Sequence, residues 1–267
     1  MYRKPLTLIL LVLVLLAVLP RGLLGVATTI DPWEIHTDQA YQQPSQARWF
    51  GTDNLGRDVS ARTMYATGLT FNAVFQSVAV SFVLALLLGG IAGLTSGKWP
   101  DAIISWIISL LYTVPFVLIA VAVAAVIQPD IGSTYLLIGL IGWAAPARLF
   151  RAEVMQLRES RFIIAQRALG ISPMSIFLRS ILPLAVIPPF LSILYFLPEL
   201  VSIDVGLSFF GLGAQPPVPT LGRLIYDGSA GIRIAWWITA LPATFMLIIF
   251  ALLYQIPGKL SHAFSNK

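Results

Sequence analysis

The side-chain types that usually perform catalysis or bind metal are scarce in this sequence. It contains two histidines, His36 and His262, and no cysteine, and neither histidine has a second ligand at a metal-binding spacing. Residues 93–98 partly match a phosphate-binding loop, but Ala92 replaces its first glycine and Trp99 replaces its final Ser or Thr. We therefore predict no catalytic residue, no metal site and no nucleotide-binding loop in this chain.

A group of turn-forming, polar and charged residues lies in the first quarter of the chain. Its members are Gly51, Thr52, Asp53, Gly56, Arg57 and Asp58. Two glycines and an Asp-Asn pair are typical of a tight turn, and the sequence predicts that this turn leads into a helix. We expect Arg57 to hold the turn by charge-assisted hydrogen bonds with Asp53 and Asp58; substrate binding by Arg57 is the alternative.

The overall composition indicates which elements must position these residues. The 267 residues are 57% hydrophobic and 11% charged, with a mean hydropathy of +0.84. Soluble domains have about 45–50% apolar and about 25% charged residues, so a soluble protein of this size is excluded. The apolar residues form long continuous runs, whereas a transmembrane barrel shows alternating patterns of about ten residues. We predict an all-α membrane protein with about six transmembrane helices.

A helix needs about 20 mostly apolar residues to cross a bilayer. Such runs occupy residues 6–26, 69–95, 103–127, 135–150, 181–200 and 235–255. The first segment, residues 1–27, also resembles a cleavable signal peptide, and this alternative stays open. After it the sequence predicts an outer segment at 28–68, a core at 69–257 and a tail at 258–267. The core includes an inner loop at 151–180 and an outer Gly/Pro-rich loop at 206–234.

The distribution of charges predicts the orientation. Lys and Arg are enriched in the cytoplasmic loops of membrane proteins. With the N-terminus inside, eleven of the seventeen Lys and Arg residues fall on the inner side, and nine of the twelve acidic residues fall outside or near the outer ends. The net charge of +5 is therefore explained by topology, and nucleic-acid binding loses its support. Both termini are predicted to be cytoplasmic.

Two acidic residues, Glu199 and Asp204, lie near the outer end of the fifth apolar run. An ionised group at membrane depth costs at least about 2.5–3.5 kcal/mol, so such residues are candidates for function. In one interpretation they line the mouth of a polar pathway, with Gln215, and attract a cationic group. In the other they lie in the headgroup layer or pair with Arg223 or Arg233.

The inner loop contains a short predicted helix. Residues 161–169 consist of good helix formers and are followed by a stop at Gly170. At helical spacing, one face is shared by Phe162, Ala165, Ala168 and Leu169. Such a helix either lies in the membrane surface or docks into a groove of a soluble partner.

This loop resembles the cytoplasmic loop of ATP-binding-cassette (ABC) importer permeases. The family pattern is Glu-Ala-Ala, three residues, Gly, and a later Leu-Pro; here Ala165, Gly170 and Leu182-Pro183 match it, while Ile164 and Gln166 depart from it. In the family this loop forms a coupling helix that sits in a cleft of the ATPase subunit. By resemblance, the coupling residues are Arg161, Phe162, Ala165, Gln166, Arg167, Ala168, Leu169 and Gly170.

Two further motifs resemble those of the dipeptide, oligopeptide and nickel permeases. Residues 50–59 match the outer signature of that subfamily, and residues 207–219 match its loop before the last span. Leu221 stands where Trp is common and Asp204 where Glu is common. The three motifs occur in the expected order and on the expected sides, and the resemblance covers residues 48–257.

The resemblance implies a permease subunit of a binding-protein-dependent importer for peptides or nickel, with an ABC type I importer bundle, in a bacterial cytoplasmic (inner) membrane. Its expected partners are the bilayer, a second homologous permease, two ATP-binding subunits and an extracytoplasmic substrate-binding protein, with no nucleic acid. ATP and Mg would be bound by the ATPases, so this chain would have no cofactor and no enzymatic activity. The alternatives are an exporter of a related system and an ATPase-independent carrier or channel.

Overall fold

The computed structural model describes residues 30–115, 118–119, 121–122, 126, 131–209 and 218–265. Within these ranges the regular structure is helical, and the only strand-like pairing is an isolated antiparallel bridge between Thr52 and Asp58. The predicted all-α fold class is therefore confirmed.

The helices of the described residues follow one another along the chain as a set of long apolar helices separated by short ones. In order they are a 3-10 turn (Thr37–Gln39), α1 (Val59–Leu94), α2 (Trp99–Thr113), α3 (Ile131–Ile141), α4 (Ala144–Arg158), α5 (Arg161–Ala168), α6 (Pro173–Ile176), a π-helical turn (Phe177–Ile181), α7 (Leu182–Ala185), α8 (Ile187–Phe209), α9 (Leu221–Ser229) and α10 (Trp237–Ser265).

Helix α1 is the central element of the bundle. It begins at Val59 because the Asp58 side chain caps it, with Oδ1 accepting a hydrogen bond from the backbone N–H of Ala61 at 2.8 Å. The helix thus starts ten residues before the apolar run at residue 69, since residues 59–68 are helical but mix small, polar and apolar side chains. It packs most extensively against α4 and α3.

Glycines bring α1 close to its two main neighbours. A Cβ on Gly89 of α1 would lie 2.5 Å from the carbonyl oxygen of Ala147 in α4, and a Cβ on Gly139 of α3 would lie 2.6 Å from the carbonyl oxygen of Ser77 in α1. The Ser81 hydroxyl also donates to the Gly139 carbonyl at 2.7 Å. Close backbone contact between small residues is a common way for membrane helices to associate.

The largest hydrophobic cluster joins α1 and α3 to the second half of the chain. Helix α8 supplies fully buried side chains such as Phe190, Leu194 and Leu200. Phe190 packs edge-to-face on Phe82 of α1, with 5.9 Å between ring centroids. Helices α9 and α10 pack against each other and against α8, which closes this side of the bundle.

The described part of the chain contains fewer complete spans than the six that the sequence predicts. Helix α1 and the segment Trp237–Ser261 of α10 are long and apolar enough to cross a membrane, and the bent pair Pro173–Ala185 and Ile187–Ile203, with a 44° break, makes a third if it counts as one span. The first predicted span lies outside the described residues. The fourth is divided between α3 and α4. The count of six stays a prediction.

A π-helical turn at Phe177–Ile181 interrupts the chain before α8. The backbone N–H of Leu182 donates to the carbonyl of Phe177, five residues earlier, which is the pairing of a π-helix. Pro183 has no N–H, and in an α-helix its ring would clash with the carbonyl of Arg179. The wider turn accommodates this proline and ends the inner loop.

Candidate functional site

The outer turn is organised by the carboxylate of Asp53. Its Oδ1 accepts hydrogen bonds from the backbone N–H groups of Leu55 at 2.9 Å and Arg57 at 3.0 Å, and its Oδ2 accepts one from Arg57 Nε at 2.7 Å. The expected bond between Arg57 and Asp53 is therefore confirmed. Asp58 does not join it, because that side chain caps α1 and has Arg48 as its ionic neighbour at 3.7 Å.

Both glycines of this turn adopt backbone conformations that other residues rarely take. Gly51 has a φ of +68° and Gly56 a φ of +73°. Gly56 also has no room for a side chain, since a Cβ there would overlap the backbone of His36. The glycine positions in the motif are thus required by the shape of the turn.

Thr52 connects the turn to the rest of the outer side. Its hydroxyl accepts from the backbone N–H of Gln42 at 2.8 Å and donates to the carbonyl of Gln39 at 2.5 Å. Its own carbonyl accepts from Trp237 Nε1 at 3.3 Å, at the start of α10. The outer turn therefore lies beside the start of α10, directly after the second predicted outer segment at 206–234.

Helix α5 has the position and the ending that the sequence predicts. It covers Arg161–Ala168, and Gly170 follows it with a φ of +75°, as a C-terminal glycine stop requires. The predicted apolar face is exposed: Phe162 is 41% and Leu169 79% accessible, and Ala165 and Ala168 are exposed as well. Nothing described in the chain covers this face.

One residue that sequence reasoning missed attaches α5 to the bundle. Ile163 is fully buried among Phe150 and Val154 of α4 and Ile176 of α6. Periodicity grouped the apolar residues of α5 on one face, whereas Ile163 lies on the opposite one. An isolated isoleucine in a short helix gives no signal that distinguishes it from its exposed neighbour Ile164.

Gln166, which departs from the family pattern, makes a specific contact. The Ser180 hydroxyl donates to Gln166 Oε1 at 3.0 Å, and Ser180 belongs to the π-helical turn. The remaining coupling candidates, Arg161 and Arg167, are exposed. The exposed face of α5, together with Ile171 and Met174 beyond it, we call the inner docking face; Ile171 is 40% and Met174 67% accessible.

An ion pair fixes the inner end of the bundle behind this face. Arg151 of α4 donates from Nη2 to Asp101 Oδ2 of α2 at 2.9 Å, and from Nε to the other carboxylate oxygen at 2.5 Å. The guanidinium lowers the pKa of Asp101 to about 2, and the backbone N–H of Gly97 adds to this effect. The partners are 50 residues apart, and no local pattern in the sequence predicts that they pair.

The pathway candidates are only partly described. Glu199 lies on α8 and is exposed in the isolated chain, and no described residue forms an ion pair with it. Arg223, which the sequence offers as an ion-pair partner for Glu199, instead has its Nε 2.9 Å from Asp227 Oδ1 on the next turn of α9. The side chain of Asp204 and the whole of Gln215 lie outside the described residues. Their role in a pathway stays a prediction.

The long apolar helices α1 and α10 are typical of a helical membrane protein. Residues 85–261 match the family described as the binding-protein-dependent transport system inner membrane component, and the chain belongs to this family. The resemblance inferred from the motifs is thereby confirmed.

Named relatives agree with the family. The chain is 31% identical over 216 residues to the dipeptide transport system permease protein DppC of Alkalihalophilus pseudofirmus, which covers 81% of this chain and 71% of that protein. It is 34% identical over 182 residues to a putative peptide permease protein of Brucella suis, covering 68% of this chain and 60% of that protein. It is 32% identical over 210 residues to the glutathione transport system permease protein GsiD of Pectobacterium atrosepticum, covering 77% of this chain and 68% of that protein.

A solved structure shares the fold. A chain of the MetNI methionine ABC transporter, in an inward-facing conformation, superposes with a TM-score of 0.57 and covers 76% of this chain and 95% of its own. At 20% identity this likeness concerns the fold alone. It confirms the predicted architecture of an ABC type I importer permease.

Proposed function

We propose that this chain is a permease subunit of an ATP-driven importer and that the inner docking face couples it to an ATPase. The observation that carries the proposal is the construction of α5. Ile163 anchors the helix, while Phe162, Ala165 and Leu169 are exposed. An apolar helix face without a cover, held in place from behind, is suited to a groove on a soluble partner.

Peptides are the substrate class that the relatives favour. Their names specify dipeptide, peptide and glutathione transport, and we propose peptide transport for this chain on that basis. Nickel is a weaker candidate, because only the resemblance of residues 50–59 and 207–219 to a mixed subfamily supports it.

The assembly that follows from this function has several parts. A second homologous permease would form a heterodimer with this chain and enclose the pathway, two ATP-binding subunits would dock on the cytoplasmic side, and a substrate-binding protein would deliver cargo outside. ATP and Mg would be bound by the ATPases and not by this chain. In this arrangement both termini lie in the cytoplasm.

A pair of matched substitutions tests the coupling role. Ala165→Arg places a charge in the centre of the inner docking face, whereas Ala152→Arg places the same charge on an exposed position of α4 in the same inner loop. We expect the new charge to weaken binding of the ATPase by at least about 1.4 kcal/mol, which corresponds to a tenfold loss of affinity. ATP-dependent uptake should fall by a similar factor.

Uptake is measured in vesicles that contain the whole importer, and insertion is checked by the amount of permease in the membrane. Ala152→Arg should transport like the wild type. Wild-type uptake and normal ATPase copurification with Ala165→Arg would contradict the proposal.

A further inference from the structure

The outer end of the molecule contains a cavity that the transport function does not account for. Its volume is about 260 Å³, and it lies between the outer turn and the end of α9. Its charged wall consists of Asp53, Arg57, Arg62 and Asp227, and its apolar wall of Leu224, Ile234 and Ile238.

Arg62 is the decisive residue of the charged wall. It is only 3% accessible, and its Nη1 donates to the carbonyl of Pro32 at 3.1 Å. Its Nε is buried and has no hydrogen-bond partner among the described residues. A buried donor without a partner is rare in a folded protein, so the guanidinium at this wall keeps a hydrogen-bonding group that the described residues do not use.

The nearby carboxylate of Asp53 does not accept a hydrogen bond from Arg62 Nε. Asp53 Oδ2 lies 3.7 Å from Arg62 Nε, beyond hydrogen-bond distance, and it already accepts from Arg57 Nε. Asp227, also on the wall, is 2.9 Å from Arg223. Each acid on this wall therefore has a closer cationic partner than Arg62.

We propose that this cavity binds a small organic carboxylate whose charged end lies against Arg62 and whose apolar part lies against α9 and α10. A guanidinium offers several N–H donors in one plane, which match the oxygens of a carboxylate. The volume is below the roughly 300–1,000 Å³ of pockets for drug-sized ligands, so the ligand has about the size of an amino acid derivative.

The cavity can be closed without disturbing the turn. Gly231 lines it, and a Cβ on this residue would meet only the Gly228 carbonyl oxygen, at 3.9 Å. A leucine at this position would therefore extend into open space. Gly258, in the last turns of α10, also has nothing within 4 Å of a built Cβ and provides a control for the same substitution.

The test uses the full chain in phosphatidylcholine nanodiscs without ATP or other subunits. The probes are N-acetylalanine and N-acetylalaninamide, which have the same size and differ only in the carboxylate, and saturation-transfer NMR measures their binding. We expect N-acetylalanine to bind the wild type and Gly258→Leu, and to bind Gly231→Leu at least tenfold more weakly. The amide should not bind.

Three results would overturn the proposal: equal binding of acid and amide, undiminished binding to Gly231→Leu, or no binding to the wild type. If the acid fails to bind but Gly231→Leu weakens docking of the substrate-binding protein, the carboxylate belongs to a side chain of that partner and the small-molecule proposal is wrong. Arg62→Lys serves as a second variant and should weaken binding of N-acetylalanine, because lysine lacks the planar set of donors.

This inference does not rest on the proposed transport function. Binding is measured without ATP hydrolysis or uptake, so a failure of the coupling test leaves it standing. A failure of the binding test in turn leaves the coupling role of α5 untouched.

Discussion

At the scale of single residues, one buried carboxylate determines the form of the outer turn. Asp53 accepts three hydrogen bonds from within the segment 53–57, one of them from the charged side chain of Arg57. Hydrogen bonds with a charged partner contribute more than neutral ones, and a buried group that loses its partner is costly. The turn is therefore expected to depend on this side chain more than on any exposed acid nearby.

Replacing Asp53 tests this dependence. Asp53→Asn keeps the size of the side chain but removes its charge, and we expect a loss of roughly 1–3 kcal/mol in the stability of the outer segment. Hydrogen–deuterium exchange of residues 51–58 is the measurement. Asp38→Asn, at an exposed acid in the same segment, should leave the exchange unchanged. Equal exchange in both variants would contradict the account.

The ion pair at the inner end gives a pH dependence of known sign. Arg151 holds the pKa of Asp101 at about 2, below its ordinary value of 3.8. A group with a lowered pKa in the folded state stabilises the fold above its unfolded value and loses this effect as the pH falls through the folded value. The stabilisation of the fold by the Asp101–Arg151 ion pair is thus complete above about pH 4 and disappears towards about pH 2.

We expect the thermal stability of the purified chain to show this loss and Asp101→Asn to lack it. Melting curves of both proteins between pH 6 and pH 2 in the same detergent provide the comparison. The difference between the two melting temperatures should shrink as the pH falls. A difference that is constant over the whole range would show that the pair does not contribute as described.

At the scale of helices, the contacts of α1 depend on residues that have no side chain. The backbones of α1 and α4 approach each other at Gly89 and Ala147, where a Cβ would lie 2.5 Å from a carbonyl oxygen. This contact can only be relieved by moving one helix away from the other. The most extensive helix pair of the bundle would then be disturbed along its length.

Two alanine substitutions should therefore differ in their effect on the stability of the bundle. Gly89→Ala is expected to destabilise the bundle by about 1–3 kcal/mol through overpacking. Gly258→Ala, in open space within α10, is expected to be neutral or to stabilise by about 0.5–1 kcal/mol, because alanine favours the helix. Melting temperatures in detergent measure both. A stable Gly89→Ala protein would argue against close contact of α1 with α4.

The sequence allows some of these elements to be predicted and not others, and the reason is the range of the interactions involved. The ending of α5 at Gly170 and the turn at Asp53 depend on residues within a few positions of each other. The pairing of Asp101 with Arg151, the burial of Ile163 and the unpartnered Nε of Arg62 depend on residues far away in the chain. The sequence predicts a helix after this turn, but not that the helix continues unbroken into the apolar run at residue 69, because residues 59–68 lack a continuous apolar run.

At the scale of the whole molecule, the segments assigned to each side of the membrane come together in space. Trp237 contacts Thr52 at the outer end, and Arg151 contacts Asp101 at the inner end. Asp101 and Arg151 belong to segments that the charge distribution places on the inner side, and Trp237 begins the span that directly follows the outer loop 206–234. The geometry is therefore consistent with the predicted topology, in which basic residues are concentrated inside.

The orientation can be measured directly because the chain has no cysteine of its own. We expect Gln43→Cys, in the exposed outer segment, to react with a membrane-impermeant maleimide added to intact cells. Met174→Cys, on the inner docking face, should react only after the membrane is permeabilised, although this position is 67% accessible in the isolated chain. The reverse pattern would invert the topology.

The π-helical turn at Phe177–Ile181 has a consequence for how the two ends of this segment are related. Each residue advances an α-helix by about 100° around its axis, so one additional residue within a turn offsets the following side chains by about that angle. The side chains of α8 therefore face the bundle about 100° away from the direction that an unbroken α-helix continuing from α6 would give them.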